Sequence, residues 1–335
     1  MTVVVTGGTG FLGSWVTAAL VAAGHDVRIF DRAPQPQNLE FVQSGLSGRV
    51  TLVEGDITDA DQVAQAVAGT DAIVHLAGVM TVDCADHPEA AIAVNLIGSQ
   101  HVFRAAAQAG VDRVVYASSA AVYGPGSGIH PHPGSLYGVL KLAVEGVARV
   151  AHEDTGIRSL GLRPFIAYGA GESSGIAAGP SIAIRAAIRG EPAMLRFTGD
   201  VGFVAVTDIA TVIVAALARM ADAATVLDLP GVYGNVSDFI AALQHQVPTA
   251  QTTATGAPLR LPHRLEGAPF PNWLADIPVT SLEAGIGEAV AHWRQADTTL
   301  GYAKAPGPFN TTAEYTTLSA TKTRVSKTPE RQAWT

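Results

Sequence analysis

The segment Thr6-Gly7-Gly8-Thr9-Gly10-Phe11-Leu12-Gly13 constrains this chain more than any other, because it stands between a β-branched run, Thr2–Thr6, and an alanine-rich stretch, Phe11–Ala23. Glycines at that spacing across a strand-to-helix junction meet three separate needs. Gly7 permits a tight turn, Gly10 lets a phosphate approach the backbone, and Gly13 lets the helix pack closely on the sheet. The helix N-terminus then offers unpaired N–H groups and a partial positive charge, so a pyrophosphate is the expected guest, with Thr9, Phe11 and Leu12 on the same lip.

The rest of the first half repeats the strand-to-helix alternation. Strands are expected at Thr2–Thr6, Asp26–Phe30, Val50–Val53, Ala72–His75, Arg113–Ala117 and Ser159–Arg163, with helices at Phe11–Ala23, Ala60–Ala68, Pro88–Ala109 and Ser135–Thr155. Parallel strands need crossover helices, so this order predicts an α/β fold, a doubly wound parallel sheet. Beyond Pro164 the alternation breaks into a helix near Ser181–Arg189, a strand through Phe203–Val206, and helices at Asp208–Met220 and Ser281–Gln295, separated by loops rich in Gly and Pro. The expected division is a nucleotide domain over 1–165, completed by elements near 203–228, and a smaller lobe for substrate over most of 166–295. Residues 296–335 hold 10 Thr and 5 basic against 3 acidic residues, which predicts an extended or disordered arm.

Composition excludes several alternatives. With 335 residues, 48% apolar, the chain can bury a large core unaided, and its single cysteine, Cys84, gives no sign of a disulfide framework, a Cys-based zinc site or a part in the chemistry. A formal net charge of −8 argues against general affinity for nucleic acid or anionic lipid. No apolar run approaches the ~18 residues of a membrane span, and the N-terminus lacks the basic first segment of a signal peptide. The expectation is a cytoplasmic protein.

Asp31 follows the second strand, where a carboxylate accepts hydrogen bonds from adenosine ribose hydroxyls and repels a 2′-phosphate. That favours NAD over NADP. Arg32 keeps the second open, since a guanidinium there can hold the phosphate, and Asp31 also reads as a turn-forming residue. Tyr137-Gly138-Val139-Leu140-Lys141 places a phenol and an ammonium on one helix face, where a nearby cation lowers the tyrosine pKa toward proton exchange with an alcohol. A solvated surface pair has the same spacing. Ser118-Ser119-Ala120 follows the strand Arg113–Ala117 at the edge where ligands bind in such sheets. His130 and His132 lie in a Pro/Gly loop without metal-ligand spacing, so no metal is expected.

Together these residues resemble the extended branch of the short-chain dehydrogenase/reductase superfamily, the NAD-dependent epimerase/dehydratase family. The matching segments, in order over about residues 1–295, are Thr6–Gly13, Asp31, Asp56-Ile57, His75-Leu76-Ala77-Gly78, Val94-Asn95-Leu96-Ile97-Gly98, Ser118–Gly124, Tyr137–Lys141, Leu162-Arg163-Pro164 and Ser281–Ile286. The resemblance implies a Rossmann-type fold with a smaller C-terminal substrate-binding lobe, and NAD as cofactor. It makes Tyr137 the acid/base, Lys141 its partner and Ser119 the substrate's hydroxyl ligand. Asp56 and Ile57 would hold adenine, Leu76, Ala77 and Gly78 would line the nicotinamide side, and Pro164, Phe165 and Ile166 would pass beside it. Asn95 and Ser118 join the cofactor set, while Val79, Ala120, Tyr168 and Arg185 join Ser119 on the substrate side. His75 reads as a strand-end packing residue rather than a base.

Departures from the family narrow the substrate. Ala120 and Ala121 stand where the family's sugar-nucleotide dehydratases carry an Asp-Glu pair, which argues against a 4,6-dehydratase. Ile166 replaces the usual Asn, and no Arg stands shortly before Val206-Thr207-Asp208, so a nucleoside diphosphate lacks its expected partners. The leading expectation is an NAD-dependent oxidoreductase acting at a secondary hydroxyl or carbonyl of a carbohydrate-like substrate, a sugar or sugar acid. An NAD-dependent (nucleotide-)sugar epimerase and a non-catalytic dinucleotide-binding regulator are the alternatives. Ile92, Leu96, Val102, Phe103, Leu140, Val144 and Val147 on two helices fit either a homodimer face or the core.

Overall fold

The computed structural model describes residues 1–126, 129–265 and 270–300. Its first half runs β1 (Thr2–Thr6), α1 (Phe11–Ala22), β2 (Asp26–Asp31), α2 (Pro36–Val42), β3 (Thr51–Glu54), α3 (Ala60–Val67), β4 (Ala72–His75), α4 (Thr81–Asp86), α5 (Pro88–Ile92), α6 (Gly98–Ala109), β5 (Arg113–Ala117), α7 (Leu136–Thr155) and β6 (Arg158–Pro164). The second half adds β7 (Ile166–Tyr168), α8 (Gly179–Arg189), β8 (Pro192–Leu195), β9 (Asp200–Ala205), α9 (Val206–Arg219), β10 (Ala224–Leu229), β11 (Val232–Asn235), α10 (Val236–Gln246), β12 (Gln251–Ala254) and α11 (Leu282–Leu300).

Seven strands form one parallel sheet in the order β10-β6-β5-β4-β1-β2-β3. All four residues of β4 are buried, as expected for a strand covered by helices on both faces. The one strand of this sheet missing from the sequence reading is β10. Of the elements near 203–228, β10 pairs with β6 in the main sheet, whereas β9 lies in a separate sheet of order β11-β9-β7. Pro164 and Phe165 make the crossing, since β6 ends in the large sheet and β7 opens in the small one.

The stretch Pro88–Ala109 is not one uniform helix. A π-helical turn at Ala93–Ile97 separates α5 from α6, and alanine content carries no signal of the extra residue such a turn inserts. The same helices settle which apolar residues are core. Val102, Phe103, Leu140 and Val144 are buried, so they pack inward and cannot form an outer face, whereas Ile92, Ile97, Val139 and Val150 are exposed. At the C-terminal end α11 runs to Leu300, five residues past the expected helix end at Gln295, and anchors Trp293 against Phe41 of α2. The expected arm lies outside the described residues from position 301 onward. Among the described residues no helix is long and apolar enough to cross a membrane.

Candidate active site

The carboxyl ends of β1, β4, β5 and β6 lie along one edge of the sheet, where the βα connections of a doubly wound fold converge on a ligand. The glycine turn after β1 has the geometry its sequence predicts. Gly7 takes a φ of +69°, and a Cβ there would sit 2.8 Å from the Ala77 nitrogen. A Cβ on Gly13 would lie 2.1 Å from the Gly7 carbonyl oxygen, so α1 packs against the turn itself. Gly10 is exposed, no side chain caps α1 and no acidic residue stands in its first turn. This cradle fits a pyrophosphate, and therefore a dinucleotide such as NAD.

Asp31 closes β2 beneath that lip. Its Oδ2 accepts hydrogen bonds from the Thr9 hydroxyl at 2.6 Å and the Thr9 N–H at 3.2 Å, so the carboxylate braces the turn it is expected to serve. Arg32 is exposed beside it. Asp56 spends Oδ1 on its own loop, accepting from the Thr58 N–H and hydroxyl, both at 2.8 Å. Ile57 is buried under Gly98.

At the other end of the groove, Ser135 caps α7 by accepting from the Gly138 N–H, which starts the helix one residue before Tyr137. Gly138 then lets that helix close on the turn after β5, since a Cβ there would meet the Ala121 carbonyl oxygen at 2.3 Å. This approach sets the Ser119 hydroxyl on the side of the Tyr137 phenol, close enough to favour its ionised form. Ser119 accepts from the Ala121 N–H at 3.1 Å, which leaves its own hydrogen for another oxygen. Lys141 follows one turn on, buried, donating to the Ala117 carbonyl at 2.8 Å with Nζ 5.6 Å from the Tyr137 ring centre.

The electrostatics correct the expectation of a lowered tyrosine pKa. Burial pushes the Tyr137 phenol up to about 12, partly offset by the Ser119 hydrogen bond, and burial also pulls Lys141 down to about 8. Desolvation outweighs attraction here because the ammonium lies beside the ring and bonds a backbone carbonyl.

Other predicted site residues fall into two groups. Asn95 is buried in the π turn and holds Val79 at both ends, accepting from its N–H at 2.8 Å and donating to its carbonyl at 2.9 Å. A Cβ built on Gly78 would lie 3.0 Å from Asn95 Oδ1 and 3.6 Å from Lys141 Nζ, so Leu76–Val79 borders the reacting groups. Pro164, Phe165 and Ile166 occupy the crossing between the sheets, with Phe165 edge-on to Tyr233. The second group lies elsewhere. Ser118 donates its hydroxyl to Glu145 at 2.5 Å and is buried there. Ala120 is core, and Tyr168 is 1% exposed, edge-on to Phe203 and Phe239. Arg185 stacks on Trp293 at 5.3 Å, which uses it in packing α8 on α11.

Four features escaped the sequence reading. Cys84 is fully buried against Tyr137 and Leu140, with its thiol 3.5 Å from Asn95 Nδ2. Glu172 accepts from the Ser181 hydroxyl at 2.7 Å, and burial pushes its carboxyl up to about 8. Arg260 packs beside Gly134, just before α7, and Arg264 stacks on Tyr233 at 4.7 Å. These two place guanidinium groups beside Gly134 and Tyr233 from a segment remote in sequence, which no local motif announces. Among the described residues no three His, Cys, Asp or Glu side chains gather as metal ligands.

Comparison with known proteins shows the family. Residues 3–228 match the NAD dependent epimerase/dehydratase family. A 3-beta-hydroxysteroid dehydrogenase of Mycolicibacterium neoaurum is 32% identical over 186 residues, 51% of this chain and 49% of that protein. The match thus spans about half the length of that relative. MoeE5 in complex with UDP-glucose and NAD is 25% identical at a TM-score of 0.75, covering 88% of this chain and 99% of that one. The UDP-glucose 4-epimerase of Thermus thermophilus, in complex with NAD, is 25% identical at a TM-score of 0.74, covering 88% and 100%.

Proposed function

From the premise that this chain belongs to the NAD-dependent epimerase/dehydratase family, we propose that it transfers hydride at a secondary hydroxyl or carbonyl of a carbohydrate-like substrate, with Tyr137 as the proton-exchanging group. The observation that carries this reading is the approach of α7 to the turn after β5 at Gly138, which sets the Ser119 turn beside Tyr137 with Lys141 one turn away. NAD supplies the hydride acceptor or donor. The glycine cradle and Asp31 hold its phosphate and ribose end, and Leu76–Val79 with Pro164–Ile166 border the reacting end. Ser119 donates to the substrate oxygen while Tyr137 exchanges its proton, with the buried Lys141 ammonium one turn away on the same helix. Tyr137→Phe removes the exchangeable proton while keeping the ring. Turnover is expected to fall at least about a hundredfold, with NAD binding retained. Full activity in that variant would sink the assignment.

A nucleotide-sugar epimerase is the second reading, supported by Arg260 and Arg264, which offer an anionic group partners that the β9 region lacks. A panel of sugars, sugar acids, nucleotide sugars and hydroxysteroids with NAD and NADP separates the two. NADH accumulation with one product marks a dehydrogenase, and interconversion without free NADH marks an epimerase.

We also infer that two copies pair across α6 and α7. A groove of about 560 Å³ on that face is lined by Ala107, Val147 and Val150, with the buried Phe103 as its floor and Arg104, Arg149 and Asp154 at its edge. An apolar strip flanked by both signs of charge suits a self-complementary twofold contact.

A further inference from the structure

His75 ends β4, and its imidazole, 4% exposed, is bonded at both nitrogens. Nδ1 meets Thr6 Oγ1 at 2.7 Å and Nε2 meets Ser99 Oγ at 2.9 Å. Counting hydrogens fixes which nitrogen carries the proton. Ser99 has one hydroxyl hydrogen, and it goes to the Asn95 carbonyl at 2.6 Å, since a carbonyl only accepts. Ser99 Oγ must then accept from His75, so Nε2 bears the hydrogen. On the other side the Ala77 N–H donates to Thr6 Oγ1 at 3.2 Å, and the Thr6 hydroxyl donates to the bare Nδ1. Every hydrogen in the chain from Ala77 to Asn95 has one acceptor.

We propose that His75 is a positioning residue for this site, a neutral Nε2–H imidazole that ties the entrance of the phosphate turn at Thr6 to Asn95 in the π turn. Both ends of the tie act on the groove. Thr6 leads directly into Gly7, whose backbone touches Ala77. Asn95 grips Val79, so the Leu76–Val79 loop beside Lys141 is fixed between two anchors that share one imidazole. A second ring proton has no acceptor in this arrangement. Burial, with the Lys141 charge as the nearby cation, holds the imidazole pKa down to about 3.

The inference rests on Tyr137 and Lys141 being the reacting groups, and its test is independent of that reading. In the full-length protein with ¹⁵N-labelled histidine, ring-nitrogen correlation spectra are expected to show His75 with a bare Nδ1 and a protonated Nε2, unchanged from pH 5 to pH 8. The resonance is assigned by its loss in His75→Phe or its shift in Ser99→Ala. An Nδ1–H tautomer, or a His75 that titrates in that window, overturns the proposal. Ser99→Ala, which cuts the tie at its Asn95 end, is expected to lower kcat between about tenfold and a hundredfold, as small misplacements do. KM for NAD is expected to stay within about threefold, because the phosphate cradle is intact. A wild-type kcat in Ser99→Ala also overturns the proposal. Should Tyr137→Phe prove fully active, the site assignment falls, while the ring-nitrogen spectra still decide the state of His75.

Discussion

Arg163 grips Glu145 with both arms of its guanidinium, Nε to Oε1 at 2.7 Å and Nη2 to Oε2 at 2.5 Å, two helical turns beyond Tyr137 on α7. The same guanidinium donates to the Tyr123 hydroxyl at 2.7 Å, and Tyr123 in turn donates to Asp228 of β10 at 2.8 Å. Ser118 completes the set from the end of β5. The helix that carries Tyr137 is thereby fastened to three strands of the sheet. Its register relative to Ser119 follows from these bonds as well as from apolar packing.

Removing one partner of this pair leaves carboxylates buried without their cation. Arg163→Met is therefore expected to lower stability by about 3–5 kcal/mol, and Arg163→Met with Glu145→Met to recover part of that loss. Urea unfolding of the three proteins measures both. A single variant within about 1 kcal/mol of wild type, or a double variant no more stable than Arg163→Met alone, contradicts this account of the clamp.

Gly138 answers a different need, close approach. A methyl group at this position meets backbone, the Ala121 carbonyl, so neither side can move alone. Gly138→Ala is expected to push α7 away from the Ser119 turn and to reduce kcat between about tenfold and a hundredfold. Steady-state kinetics on the folded variant checks this, and an unchanged kcat would mean that the gap between Tyr137 and Ser119 is not set here.

The glycine cradle and the Tyr137–Lys141 pair were legible because each is written in one short segment, as a junction or a one-turn spacing. The Glu145–Arg163 clamp was not, because it joins a helix to a strand and nothing in either segment requires the other. Tyr168 illustrates the reverse failure. The resemblance puts it on the substrate side, yet its ring is buried and its hydroxyl lies where Gly285 has no side chain, 2.1 Å from a Cβ built there. Arg185 misleads in the same way, since stacking on Trp293 of α11 depends on an element more than a hundred residues away.

A buried lysine and a partly buried glutamate give stability opposite pH slopes in adjacent windows. Glu172 is raised from 4.5 to about 8, so the native state binds the extra proton and stability falls as pH rises from about 4.5 to 8. Lys141 is lowered from 10.5 to about 8, so the unfolded chain binds the extra proton and stability rises from about pH 8 to 10.5. Glu172→Gln is expected to flatten the first slope and Lys141→Met the second, each leaving the other window unchanged. Chemical denaturation across pH 5 to 10 reads both, and identical slopes in wild type and variants would refute the assignments.

The dimer face can be tested without touching the core. Val150 is 44% exposed and lines the α6–α7 groove with Val147, whereas Val144, one turn earlier on α7, is 2% exposed and packs inward. A charge at Val150 therefore meets water in a lone copy and a desolvated apolar strip in a pair. Val150→Glu is expected to leave the unfolding midpoint of the monomer nearly unchanged, within the ~0.5 kcal/mol typical of surface substitutions. Pairing should weaken by several kcal/mol, because an unpaired carboxylate is removed from water twice, once per subunit. Sedimentation velocity at micromolar concentration should show a dimer for wild type and a monomer for the variant. A wild-type monomer, or a variant that still pairs, would remove this face from consideration.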